Sequence, residues 1–189
     1  MSGRLGRALI VVGAALLVGA LSLFAWGSWD DARARDAAAG VVEALEPLLG
    51  TVDAAEGWDM AAVSVDGQDY VGVLAIPALG LELPVASTWS YEQLADGPCR
   101  YFGSVAGGDL VIAGRSYDSH FGRIGSLGVG DEVSLTCADG TVCVYEVAEI
   151  DSVGADDIDA MTSGEFALTL FTDTGGGQSR VAVRCDRVA

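Results

Sequence analysis

Two opposite charges, Asp173 and Arg180, stand in the stretch Ala167 to Arg184, ALTLFTDTGGGQSRVAVR. Leu168 and Leu170 before the glycines, and Val181 and Val183 after them, alternate as a half-buried hairpin requires, and Gly175, Gly176 and Gly177 supply the positive φ of a tight turn. A two-residue loop at Gly176 and Gly177 sets Gly175 against Gln178, Thr174 against Ser179, and Asp173 against Arg180. A carboxylate then faces a guanidinium. Such a cross-strand pair contributes only about 0.2–1 kcal/mol, so stability alone is a weak reason for it. Chemically, a carboxylate can act as acid or base, and a guanidinium can clamp an oxyanion.

The other reactive side chains are few. His120 is the one histidine, and a lone imidazole is the group that titrates near neutral pH. Of four cysteines, Cys137 and Cys143 flank Asp139-Gly140, a strong hairpin signal. A three-residue loop of Asp139, Gly140 and Thr141 lets them bridge across the strands, whereas a two-residue loop puts them out of register by one. Cys99 and Cys185 are a second pair open to bridging, since four cysteines allow three connectivities. None has a histidine beside it in sequence, so a relocated thiol nucleophile is not expected. No cysteine spacing fits zinc, and the acidic run Asp151 to Asp159 lacks the regular spacing and glycine of a Ca²⁺ loop, so no metal or other cofactor is expected.

These residues need a scaffold, and the rest of the chain supplies one. Arg4 and Arg7 precede nineteen uncharged, largely apolar residues, Ala8 to Trp26, which close on Phe24, Trp26 and Trp29. As a helix that run is about 28 Å long, near the ~30 Å hydrocarbon core of a bilayer. It exceeds the h-region of a cleaved signal peptide and is read as a retained anchor. Arginines before it and Asp30 and Asp31 after it predict residues 1–7 inside and the remainder outside the cell membrane. All 27 acids follow the anchor against eight of the ten arginines, a net of −19, which excludes nucleic acid and anionic lipid as natural partners.

Residues 27–69 read as a juxtamembrane helix from Asp30 to about Gly50, rich in alanine and weakened by Pro47, followed by a linker from Thr51 to Asp69. From Tyr70 the pattern changes to short strands: two around Pro77 and Gly80, one at Cys99 to Gly103, one at Leu110 to Ala113, and two around Asp139-Gly140. Many short strands, few helices and Gly/Pro-rich turns make residues 70–189 a mainly β, closed barrel.

Thr169-Leu170-Phe171-Thr172-Asp173 followed by Gln178-Ser179-Arg180 resembles the signature strand of the sortases, Thr-Leu-x-Thr-Cys with an essential Arg on the next strand. Sortases are membrane-anchored cysteine transpeptidases of Gram-positive bacteria. Tyr70 to Ser87 is similar to their opening hairpin, and Ala113-Gly114-Arg115-Ser116-Tyr117 with Ser119-His120-Phe121-Gly122 to the segment that carries their catalytic His. The resemblance implies an eight-stranded sortase barrel with short helices. It places Asp173 at the nucleophile position, Arg115 at the His position and Arg180 at the family's Arg, with Thr172, Ser116 and His120 supporting a peptide groove. His120 lies five residues beyond the catalytic position and is expected to pack on Phe121 or Tyr117.

A carboxylate is a poor nucleophile toward an amide, and a guanidinium is no base near neutral pH. The expected function is therefore that of a non-catalytic sortase-like surface protein binding a sorting-signal peptide, a pilin or a partner sortase. An Arg115–Asp173 ion pair is expected to replace the imidazole and thiol; unrelated drift at a disused site is the rival account. The alternative function is an active transpeptidase or hydrolase working through Asp173 and Arg180. Two arginines beside Asp173 would lower its pKa and disfavour that chemistry.

Overall fold

The computed structural model describes residues 2–55, 59–174 and 176–188, and the chain falls into two units, Met1–Arg33 and Ala34–Ala189. Helix α1 (Ser2–Leu45) is continuous through the anchor segment and the expected juxtamembrane helix. In the first unit Ile10, Leu16, Leu17 and Leu21 are exposed. The side chains of Arg4, Arg7, Phe24 and Trp26, on which the membrane reading leans, lie outside the described set. Among the described residues no helix is long and apolar enough to cross a membrane.

Within the second unit, Ala34, Ala38, Val42 and Leu45 recur on one helical face and are buried. Val42 and Leu45 pack with Val63, Tyr70, Val73 and Ala86. Pro47 sits in a 3-10 turn, Glu46–Leu48, that ends the helix.

Among the described residues nine strands follow: β1 (Val63–Val65), β2 (Gln68–Ile76), β3 (Leu81–Ala86), β4 (Cys99–Phe102), β5 (Leu110–Ala113), β6 (Glu132–Cys137), β7 (Val142–Gly154), β8 (Leu168–Asp173) and β9 (Ser179–Arg187). A short helix, α2 (Ile158–Thr162), interrupts the connection from β7 to β8. The sheet order is β1-β2-β3-β4-β5-β8-β9-β7-β6, and β6 pairs back onto β2. Strands β2 to β9 thus close an eight-stranded barrel, as the sequence leads one to expect. Alternate residues fill it, among them Leu74, Ile76, Leu83, Val85, Leu110, Ile112, Leu135, Leu168, Leu170 and Val183. At the seam Gly72 opposes Cys137, and a Cβ there would run into the Thr136 carbonyl.

Three sequence readings need correction. Strand β1 lies inside the segment read as linker; the Asp66-Gly67 turn, with φ of 51° and 83°, is the hairpin signal that reading passed over. The acidic run from Asp151 is not a loop throughout, because β7 extends to Gly154 and the Asp157 carboxylate caps α2 by accepting from the Ala160 amide. The β6–β7 turn is Ala138-Asp139-Gly140, so Cys137 opposes Thr141 and Leu135 opposes Cys143. Cys137 and Cys143 are therefore two positions out of step, and all four cysteines are buried free thiols. Cys99 and Cys185 lie in different core clusters.

Candidate active-site groove

Parallel pairing of β5 with β8 builds the site. Ala113 stands opposite Phe171, and the Gly114 amide continues the ladder by donating to the Phe171 carbonyl at 3.0 Å. The chain therefore leaves β5 at Gly114-Arg115 beside the end of β8 at Thr172-Asp173. Two segments more than fifty residues apart in sequence are brought together by one register.

The loop after β5 is held from below. A Cβ on Gly114 would collide with the Phe121 ring, which is fully buried beneath it. The Phe121 amide donates to the Arg115 carbonyl at 3.0 Å, and the His120 and Gly122 amides both donate to the Tyr117 carbonyl. His120 is fully buried, with its ring 5.8 Å from that of Tyr117, so it packs on Tyr117 as expected. It supports the loop from inside; the surface of the groove belongs to other residues.

Those residues are Tyr91, Leu94, Gly114, Arg115, Ser116, Tyr117, Thr172 and Asp173, around a cavity of about 250 Å³. The hairpin register is the one counted from sequence, with Asp173 against Arg180 and the Thr174 amide donating to the Ser179 carbonyl. Gly175 itself lies outside the described residues. Asp173 Oδ1 accepts from Arg180 Nε at 3.1 Å. The Arg180 guanidinium also lies over the Phe171 ring at 5.3 Å and 3.8 Å from Met161 Sδ.

Arg115 does not pair with Asp173. It donates from Nη1 to the Tyr117 hydroxyl at 3.2 Å and from Nη2 to the Tyr91 carbonyl at 3.5 Å, and it faces the Tyr117 ring at 5.7 Å. The expected Arg115–Asp173 bridge is replaced by Asp173–Arg180. The reason is geometric: neighbouring antiparallel strands put Arg180 directly across from Asp173, whereas Arg115 starts a loop that carries it toward the tyrosines. Thr172 lines the groove, but it alternates with Asp173 along β8 and shares the face of Leu168 and Leu170, and its buried Oγ1 has no hydrogen-bond partner among the described residues.

Sequence reasoning missed Tyr91, Leu94 and Tyr117 as lining residues, and it also missed Arg184. Arg184 is 6% exposed, donates from Nε to Asp151 Oδ2 at 3.0 Å and from Nη2 to the Ala160 carbonyl at 2.8 Å, and lies over Phe166. It ties the α2 connection to β9. An arginine inside the apolar run VAVRC was the available signal.

A model of the sortase domain matches residues 74–188. The chain belongs to the sortase family. Sortase C from Clostridium perfringens SM101 is 26% identical over 64% of this chain and 71% of its own, with a TM-score of 0.57. Sortase C1 from Streptococcus agalactiae is 25% identical over 67% and 71%, also at 0.57. A C. perfringens sortase C solved with the C-terminal cell wall sorting motif is 24% identical over 65% and 72%, at 0.56, and supports the fold alone. No curated protein matches the chain. The resemblance puts Arg180 at the family's Arg position, and Asp173 and Arg115 at the positions of its Cys and His.

Proposed function

We propose that this sortase-family chain is a non-catalytic form that binds peptide in the groove, held at the outer face of a cell membrane by residues 8–26. Its partners are a sorting-signal peptide, a pilin or a second sortase. The observation that carries the reading is the pairing at the groove: Asp173, which the resemblance puts at the nucleophile position, is a carboxylate engaged by Arg180, and Arg115, which it puts at the base position, is a guanidinium turned onto two tyrosines. No cysteine is among the groove's lining residues. Burial pushes the thiols of Cys99, Cys137 and Cys185 up to about 11, 12 and 12, which leaves almost no thiolate near neutral pH.

The decisive experiment presents fluorogenic sorting-signal peptides to intact cells that display the full chain, in its natural form and as Asp173→Cys with Arg115→His. The natural form is expected to be silent and the double variant to cleave. Turnover by the natural form would instead establish the hydrolase reading, with Asp173 and Arg180 as its working pair. Cleavage by lysed but not intact cells would overturn the outward topology.

A further inference from the structure

Arg115 has neutral company in an acidic chain. The protein carries a formal net charge of −17, yet no carboxylate lies within salt-bridge reach of this guanidinium among the described residues. A phenol and a backbone carbonyl take one hydrogen bond each, leaving most of its five N–H donors for a ligand. The carboxylate that shares the groove, Asp173, is matched by Arg180. Asp173, Arg180 and Arg115 therefore sum to one positive charge at the groove.

Asp173 engages Arg180 through Oδ1, which leaves Oδ2 as an acceptor. The groove thus offers a guanidinium fork and one carboxylate acceptor.

Resting on the peptide-binding reading above, we propose that the groove recognises a free peptide carboxyl terminus: the Arg115 guanidinium takes the terminal carboxylate, and Asp173 Oδ2 takes the last backbone N–H. Spacing favours a terminus over an acidic side chain. In a terminal residue one Cα separates the carboxylate from an N–H donor, so acceptor and donor arrive together at fixed separation. A Glu or Asp side chain carries its carboxylate on a flexible stem with no donor at fixed reach. Charge-assisted fork contacts of this kind are the strong ones in carboxylate recognition.

The test compares a randomised pentapeptide library in two forms, free acid and C-terminal amide, binding to the full chain in detergent by fluorescence polarisation. Free-acid peptides are expected to bind about tenfold or more tightly. Arg115→Gln should remove that difference and Arg115→Lys restore part of it, with melting temperatures taken alongside to identify any variant that fails to fold. Equal affinity of both forms for the natural protein overturns the proposal and leaves peptide binding standing. So does a preference that survives Arg115→Gln, or one that follows internal Glu or Asp in the amide set. If no peptide of either form binds, the peptide-binding reading falls, and this proposal with it.

Discussion

Asp173 shows how far one residue could be read without a structure. Counting back from the glycines placed it opposite Arg180, because hairpin register follows from the turn. Its electrostatic setting was less legible. The choice between Arg180 and Arg115 as its partner depends on where a loop carries the Arg115 side chain, and loop direction leaves no periodic trace in sequence. The pairing changes the expected energetics as well. The Asp173 side chain is 66% exposed and that of Arg180 22%, so solvent screens the bridge and its worth is about 1 kcal/mol or less. Asp173→Ala should cost no more than about 1 kcal/mol in urea unfolding, and adding Arg115→Met should not recover it. A clear recovery in the double variant would mean that Asp173 and Arg115 couple after all.

At the scale of elements, the groove exists because β5 and β8 are parallel neighbours, a pairing between strands far apart in sequence. The individual strands were readable from alternation and turns, but their order was not, since β5 and β8 are separated by the whole β6–β7 hairpin. The resemblance to sortases supplied the barrel and its strand number, and the structure supplies the order. The α2 connection illustrates the opposite case. It reads as a solvated acidic stretch, yet it is fastened to the barrel by Arg184, whose two hydrogen bonds reach Asp151 and the Ala160 carbonyl. Met161 on α2 is buried in a cluster with Phe171, the residue under Arg180. Replacing Arg184 should therefore loosen the packing of α2 on Phe171, behind the groove. Arg184→Met keeps the apolar stem and removes the donors, and since Asp151 stays partly solvated the expected loss is about 2 kcal/mol. Amide exchange should quicken through 155–166 and stay unchanged in the Leu168–Asp173 strand. Uniform acceleration across the barrel would show that Arg184 is a general core residue and no specific tie.

Over the whole molecule, the barrel's response to alkali follows from what it buries. The cysteine count permitted disulfides, whereas the β6–β7 turn sets Cys137 and Cys143 two positions out of step, Cys99 and Cys185 lie in different core clusters, and all four are free thiols, a matter of one or two residues that composition cannot express. Burial raises Cys99 from an ordinary 9.0 to about 11 and Cys137 and Cys185 to about 12, and it raises the phenols of Tyr70 and Tyr145 as well. An acid whose folded pKa is raised loses its proton first in the unfolded chain. Rising pH then draws the equilibrium toward unfolding, so stability is full below about pH 9 and is lost as pH climbs toward 11 to 12. Each thiol contributes at most about 1.4 kcal/mol per pH unit within that window. All ten basic residues are arginines, so no lysine titrates there to blur the effect. The melting temperature should hold steady from pH 7 to about 8.5 and fall continuously above pH 9. Changing Cys99, Cys137 and Cys185 together to Ala should flatten most of that slope while lowering the starting value through lost packing. A wild-type profile level to pH 11 would mean that these thiols ionise as readily in the folded barrel as in the unfolded chain, and that the core around them is open to water.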